Sequence, residues 1–398
     1  MATGSQPQPM EMDLRLFLYR PLFLSSLGVG ILAFAVPVMG HALGATAVEI
    51  GGLYSVFTLA TLVLRPVVGF GLDRFGRKPF LVVGCLCYAL AMASFALVTT
   101  LPSLYLGRVL QGIGASVLWL SVYTLATDGT TTDQRGGILG RVEAAGERGA
   151  LSGALIGFTV LSVLPLLPGW RLLFGSYAVL AVGGAWLAWR YAPHHEPVSS
   201  SKHRERQRPS QYLLRLMVVV FITGAAFTTL WPLLLISAQN RFTSSVGLLA
   251  TAYLPAALVA SFLSPVLGRL SDRVGRASLM ALGLVGSGIF ALLIPTLPSL
   301  LWLAVLWALE AVGLAMAGPA EAAFVADLTG SEQRGAGYGL YTLAASSGAV
   351  CGPVLGGWLY DTQSHALPFY VFGGLLLAGA VAVVVLLRGS KGVERSAV

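Results

Sequence analysis

The fold class that this sequence predicts is an all-α membrane protein: twelve transmembrane helices in two pseudo-symmetric six-helix bundles. Three observations predict it. The 398 residues are 56% hydrophobic and 11% charged, with mean hydropathy +0.78, whereas a soluble domain carries about 25% charged residues. Apolar runs long enough to cross a bilayer, about 20 residues each, recur along the chain. The two halves also repeat each other at a fixed offset of 199 residues.

The first six spans read as roughly 21–43, 49–71, 79–99, 102–127, 137–163 and 171–191, and the second six as roughly 212–238, 245–269, 277–296, 298–326, 335–359 and 366–388. Residues 192–211, APHHEPVSSSKHRERQRPSQ, are polar, charged and proline-containing, and read as a linker. The expected organisation is therefore a six-helix half over 1–191, a cytoplasmic linker over 192–211 and a second half over 212–398. Met1–Glu11 is polar and the first apolar run is long enough to span, so no cleavable leader is expected.

Orientation follows from lysine and arginine. With the N-terminus inside, the connections between spans place Arg74, Arg77, Lys78, Arg135, Arg273, Arg276 and Arg334 on the inner side, together with the linker and both termini. Only Arg171 and Arg241 fall outside. Both termini are expected in the cytoplasm, and the short loops suit a bacterial inner membrane. The net charge of +8 is mainly this topology signal, and no nucleic-acid partner is expected. Cys85, Cys87 and Cys351 read as small buried hydrophobes.

The repeat is specific. Gly69, Asp73, Arg74, Gly76 and Arg77 match Gly268, Asp272, Arg273, Gly275 and Arg276. Asp128 matches Asp327, Arg135 matches Arg334, and Gly149, Gly153 and Gly157 match Gly348, Gly352 and Gly356. Such a run in one register marks two similar bundles about a pseudo-two-fold axis.

With these residues in place, the chain resembles the major facilitator superfamily over nearly its whole length. Residues 69–78, GFGLDRFGRK, match that family's G-x-x-x-D-R-x-G-R-K loop. The copy from Gly268 matches except at Ala277. The fourth span carries Arg108, Gln111, Gly112 and Gly114, similar to the R-x-x-Q-G-x-G signature, and the eleventh carries GAVCGPVLGG. The resemblance implies alternating access, and the family's drug and metabolite exporters exchange substrate for protons. Their G-P-x-x-G-G motif belongs on the fifth span; here that span has Ala154 at the proline position, which leaves the direction of transport open.

The resemblance also implies a conformational gate. Asp73 would meet the positive N-terminal end of the eleventh helix and Asp272 that of the fifth. Arg74 or Arg77 would pair with Asp128, and Arg273 or Arg276 with Asp327. Gly69 and Gly76 complete the first copy.

Ionisable residues inside spans are costly and mark function. In the fifth span, RVEAAGERGALSG, Arg141 and Arg148 share one face and Glu143 and Glu147 lie roughly opposite, with the glycines as a separate strip. Counted along that span, Glu147 falls about 15 Å in, near mid-membrane. Arg108 is expected to face the cavity and to pair with Glu147. Glu310 on the tenth span is the second proton or cation-binding candidate, and Glu321 a gate residue near Arg276. Phe34, Met39, Trp119, Tyr123, Phe227, Trp231, Trp307 and Met316 are available to line an apolar substrate site. His41 reads as interfacial.

The chain has no G-x-x-x-x-G-K-[ST], no G-x-S-x-G, no H-E-x-x-H and no metal-spaced Cys/His set. No enzyme activity, cofactor or metal is expected. The expected partners are a small-molecule substrate, protons and the lipid bilayer, and the chain is expected to act as a monomer. The leading reading is a secondary transporter that exports small amphipathic or cationic organic molecules against protons. The alternatives are a facilitator or symporter of a polar metabolite, and a non-transporting receptor or scaffold.

Overall fold

The computed structural model describes residues 18–127, 135–193 and 211–394, excepting the side chains of 135–137, 261, 265, 272, 326–336 and 386–394. The helices of the first half are α1 (Arg20–Ala42, with a break at Leu27–Gly28), α2 (Ala47–Phe75), α3 (Arg77–Ala96), α4 (Leu101–Thr127), α5 (Arg135–Val163) and α6 (Leu166–Tyr191). The second half begins with α7 (Gln211–Arg241), α8 (Val246–Val274) and α9 (Arg276–Leu293).

Helical hydrogen bonding then runs unbroken from Leu300 to Thr362, but beside α7 the two ends of this stretch run in opposite directions. On its first leg, α10 (Leu300–Val325), Glu310 meets Trp231 and Glu321 meets Thr223, an antiparallel match. On its second leg, α11 (337–362), Gly348, Gly352 and Gly356 abut Phe221, Ala225 and Thr229, a parallel one. The chain therefore reverses between Glu321 and Gly348. The last helix is α12 (Leu367–Glu394). Among the described residues ten helical segments are long and apolar enough to cross a membrane. Of the twelve legs, the remaining two are α5, which carries the charges of its first half, and α11, which is rich in Gly and Ser.

The offset of 199 reappears as packing. A Cβ on Gly84 would lie 2.7 Å from the Leu118 Cα, and its mate Gly283 is pressed against Ala317, the mate of Leu118. Gly114 meets the Tyr88 backbone; its mate Gly313 meets that of Ser287, the mate of Tyr88. On α5, Gly149 and Gly153 lie against the α1 backbone at Phe23 and Leu27 and Gly157 against the Ile31 side chain, as Gly348 and Gly352 lie against the α7 backbone and Gly356 against the Thr229 side chain. Close approach of this kind replaces the hydrophobic drive that a bilayer removes. Gly76 and Gly275, also mates, have φ of 82° and 102°. That left-handed region ends α2 and α8 where only glycine enters without strain.

Two compact units emerge from the contacts. The first comprises residues 18–39 and 59–193, and the second 40–58 and 211–394, within the described chain. In the first, α3 and α6 share a ladder of Phe95, Trp170, Phe174 and Tyr177. The Trp170 indole donates to Phe95 O at 2.6 Å, and the Tyr177 hydroxyl donates to Gly153 O, tying α6 to α5.

In the second unit, the N-terminal half of α2 packs on α11. Gly51 abuts the Pro353 carbonyl, Gly357 abuts Ala47, and Ser55 donates to Val350 O at 2.6 Å. The free donors that open α2 are all met. Thr46 and Glu49 form a capping box, Thr46 N to Glu49 Oε2 at 2.8 Å and Glu49 N to Thr46 Oγ1 at 3.3 Å. Asp361, at the end of α11, takes Ala47 N at 3.1 Å and Val48 N at 2.8 Å.

Candidate functional site

The second unit holds a carboxylate midway along a helical segment, α10, that is long and apolar enough to cross a membrane. Glu310 is the eleventh residue of α10, about 15 Å from its start, and is 1% exposed. Its Oε2 accepts from the Trp231 indole of α7 at 3.1 Å. Trp231, Trp307 of α10 and Tyr253 of α8 make three mutually edge-on ring pairs, with centroids 5.2–5.8 Å apart. Ser287 of α9 lies one helical turn along, against Gly313. Three buried atoms of this cluster, Glu310 Oε1, Trp307 Nε1 and Ser287 Oγ, have no hydrogen-bond partner. A buried carboxylate without a cation beside it is stable only with a proton or a positive ligand bound, and ring faces attract the same cations. The arrangement can therefore hold a proton or an organic cation, one at a time.

Below it on α10, Glu321 is also buried and accepts from Thr223 at 2.8 Å. The expected partner was Arg276; that guanidinium donates to Ala323 O at 2.7 Å, and Glu321 is bonded to α7 instead.

In the first unit, Arg108 and Gln111 of α4 are both buried, and Arg108 Nη1 donates to Gln111 Oε1 at 2.6 Å. The sequence expectation paired Arg108 with Glu147; the bond to Gln111, one turn along, takes this place. The Tyr123 hydroxyl donates to Glu143 Oε1 at 3.3 Å, and Trp119 stacks on Tyr123 at 5.6 Å and abuts Gly146. Glu147 is exposed and shallower than counting along α5 suggested. Gly149 abuts Phe23, which puts Glu147 level with the first turn of α1. Arg148 faces neither Glu143 nor Tyr123 but a groove bounded by α1, α5 and α6.

Of the other apolar candidates, Phe34 is fully buried edge-on to Phe158, at 4.9 Å, and serves packing. Phe227 and Met316 are half-buried, Met39 is buried and His41 half-buried.

The gate residues are partly visible. Arg77 is buried, donates to Leu72 O at 3.1 Å and lies 3.9 Å from the exposed Asp73. Its repeat mate Arg276 likewise holds a backbone carbonyl. Arg74 and Arg273 are exposed, and Gly69 lies against Leu120. Asp128 falls outside the described residues, as do the side chains of Asp272 and Asp327.

Tyr253, Ser287 and the Thr223–Glu321 bond were not read from the sequence. The repeat held a signal for part of this. The offset maps Arg108 and Gln111 onto Trp307 and Glu310, so one buried position is polar in both halves.

A family model described as the Major Facilitator Superfamily matches residues 22–215 and 216–397. Multidrug resistance protein 1 of Bacillus subtilis (strain 168) is 27% identical over 371 residues, covering 92% of this chain and 93% of its own. The quinolone resistance protein NorA of Staphylococcus aureus (strain MRSA252) is 25% identical over 379 residues, covering 92% and 95%. Among solved structures, the peptide transporter POT superposes with a TM-score of 0.76 at 15% identity, over 99% of this chain and 96% of its own.

Proposed function

The chain belongs to the major facilitator superfamily and is a multi-pass membrane transporter of small molecules, not an enzyme; from that premise we propose that it exports amphipathic or cationic organic molecules in exchange for protons. The observation that carries this is Glu310, buried at mid-helix in a box of Trp231, Trp307 and Tyr253 with one oxygen unpartnered. Proton and organic cation would compete for that one negative charge, which is the minimal requirement of an exchanger. The resistance proteins named above, similar along nearly their whole length, support drug-like substrates. Within the first unit, Glu143, Tyr123, Trp119 and the Arg108–Gln111 pair form a separate polar cluster, with Glu147 as an accessory carboxylate. Residues 1–191 and 212–398 act as the alternating halves, Asp73, Arg74, Arg77 and their repeat mates as the latch. The protein works as a monomer in a bacterial plasma membrane with both termini cytoplasmic, and the proton gradient supplies the energy.

The test is reconstitution in liposomes with an imposed pH gradient, following internal pH as a lipophilic quaternary ammonium dye is added. The expected result is proton movement opposite to dye flux, lost in Glu310→Gln. Co-directional movement overturns the exchange reading, and flux without proton movement favours a facilitator. A Glu310→Gln protein that couples like the native one removes Glu310 from the mechanism.

A further inference from the structure

Two lateral grooves recur with the repeat. In the first unit, Arg20, Phe23, Leu24, Arg148 and Leu187 of α1, α5 and α6 line a cavity of about 390 Å³. In the second, Arg215, Val218, Ile222, Ala382 and Val385 of α7 and α12 line one of about 600 Å³. Both lie between the first and sixth helices of a repeat, and Phe23 and Ile222 are mates at the offset of 199. Val218 and Val385 are 61% and 62% exposed. In a bilayer a valine surface of that kind meets acyl chains.

Charge decides which lipid. Arg20 opens α1, Arg215 stands in the first turns of α7, and Arg148 is level with the first turn of α1, as its neighbour Gly149 is pressed on Phe23. All three are exposed, and among the described residues none makes a hydrogen bond or ion pair. A guanidinium at the polar edge of an apolar groove calls for an anion, and its planar fork suits a phosphate. The same arginines repel an organic cation, so these grooves do not suit the proposed cargo. A ligand with phosphate at one end and hydrocarbon at the other satisfies both parts.

We propose that each groove is a binding site for an anionic phospholipid, taken from the leaflet at which the first helix of its own repeat begins. The phosphate is held by Arg20 and Arg148 in one groove and by Arg215 in the other, and the acyl chains lie along the apolar walls.

Each basic residue near an anionic lipid surface contributes about 1 kcal/mol, which is about a fivefold preference for one arginine and about 30-fold for two. The purified full chain is mixed with equal amounts of phosphatidylglycerol and phosphatidylcholine of identical acyl chains, and the lipids retained are weighed by native mass spectrometry. The expected result is two retained phosphatidylglycerols. One is lost in Arg20→Gln/Arg148→Gln and the other, less tightly held, in Arg215→Gln. The corresponding lysine variants keep the preference, which separates charge from fold damage should a glutamine variant fail to fold. Equal retention of the two lipids overturns the proposal. So does an undiminished preference in the glutamine variants, its loss in the lysine variants, or retention of chain-free glycerol phosphate as strong as that of the lipid.

Discussion

Replacing Gly153 by alanine tests the central packing claim with a change of one methyl group. In an unconstrained helix this substitution is favourable by about 1 kcal/mol. At Gly153 the new Cβ would overlap the Leu27 carbonyl and sit 2.8 Å from the Leu27 Cα. These are backbone atoms, and no rotamer relieves them. The helices α1 and α5 must part, and a gap of about 0.5–1 Å already forfeits a quarter to a half of each contact's attraction. Overpacking of this kind costs about 1–3 kcal/mol; the absence of any yielding side chain places Gly153 at the upper end, for a net loss of about 2 kcal/mol. Gly157 is the internal comparison. A Cβ there meets the Ile31 side chain, with Cγ1 at 2.7 Å, which can turn away, so Gly157→Ala should lose less. Gly183 on α6 has nothing within 4 Å of such a Cβ, so Gly183→Ala should gain up to about 1 kcal/mol. Unfolding midpoints of the detergent-solubilised variants, followed by tryptophan fluorescence, should rank Gly183→Ala above native, then Gly157→Ala, then Gly153→Ala. A Gly153→Ala protein as stable as native, or a Gly183→Ala protein less stable than Gly153→Ala, refutes the reasoning.

Three further outcomes follow from named bonds. Trp231→Phe keeps an aromatic ring but removes the indole donor from the buried Glu310, a bond to a charged group worth about 1.5–3 kcal/mol; the unfolding midpoint should fall accordingly, and dye affinity in the liposome assay should change at least several-fold. Thr223→Val takes from the buried Glu321 one of its two side-chain donors, leaving Tyr341, and should cost about 1–3 kcal/mol, while Thr223→Val/Glu321→Leu should recover most of it in the same unfolding assay. Asp361→Ala removes both acceptors from Ala47 N and Val48 N; a lost cap of about 0.5–2 kcal/mol should appear as faster hydrogen exchange at those two amides, with the rest of α2 unchanged.

Spans and the repeat were legible because they are one-dimensional signals: apolar length, a fixed offset and glycines four apart. The glycine strip on α5 was readable as a contact face, and Arg148 and Glu143 do have different surroundings, a groove with α1 and α6 for the one and Tyr123 for the other. Depth was not readable. Counting along α5 placed Glu147 at mid-membrane, because one helix carries no information about its register against its neighbours; Gly149 lies against Phe23, near the start of α1. Partners were not readable either. Glu310 and Trp231 are 79 residues apart, and which face α7 turns to α10 depends on Gly224, Gly348 and Gly352 seating α7 against α11. Arg108 was matched to a distant Glu147 when Gln111, one turn along the same helix, was available at far lower entropic cost.

The seam between α2 and α11 bears on how the chain is made. The first turn of α2 is closed by its own Thr46 and Glu49, but Ala47 and Val48 obtain their acceptors from Asp361, more than 300 residues later. Gly51 and Ala47 likewise lie against Pro353 and Gly357. During synthesis the second helix therefore enters the bilayer with half its length unmatched, and it must wait for the penultimate helix before it can settle. A ribosome stalled after α10 would leave that bare face open to whatever chaperone or insertase tends the membrane.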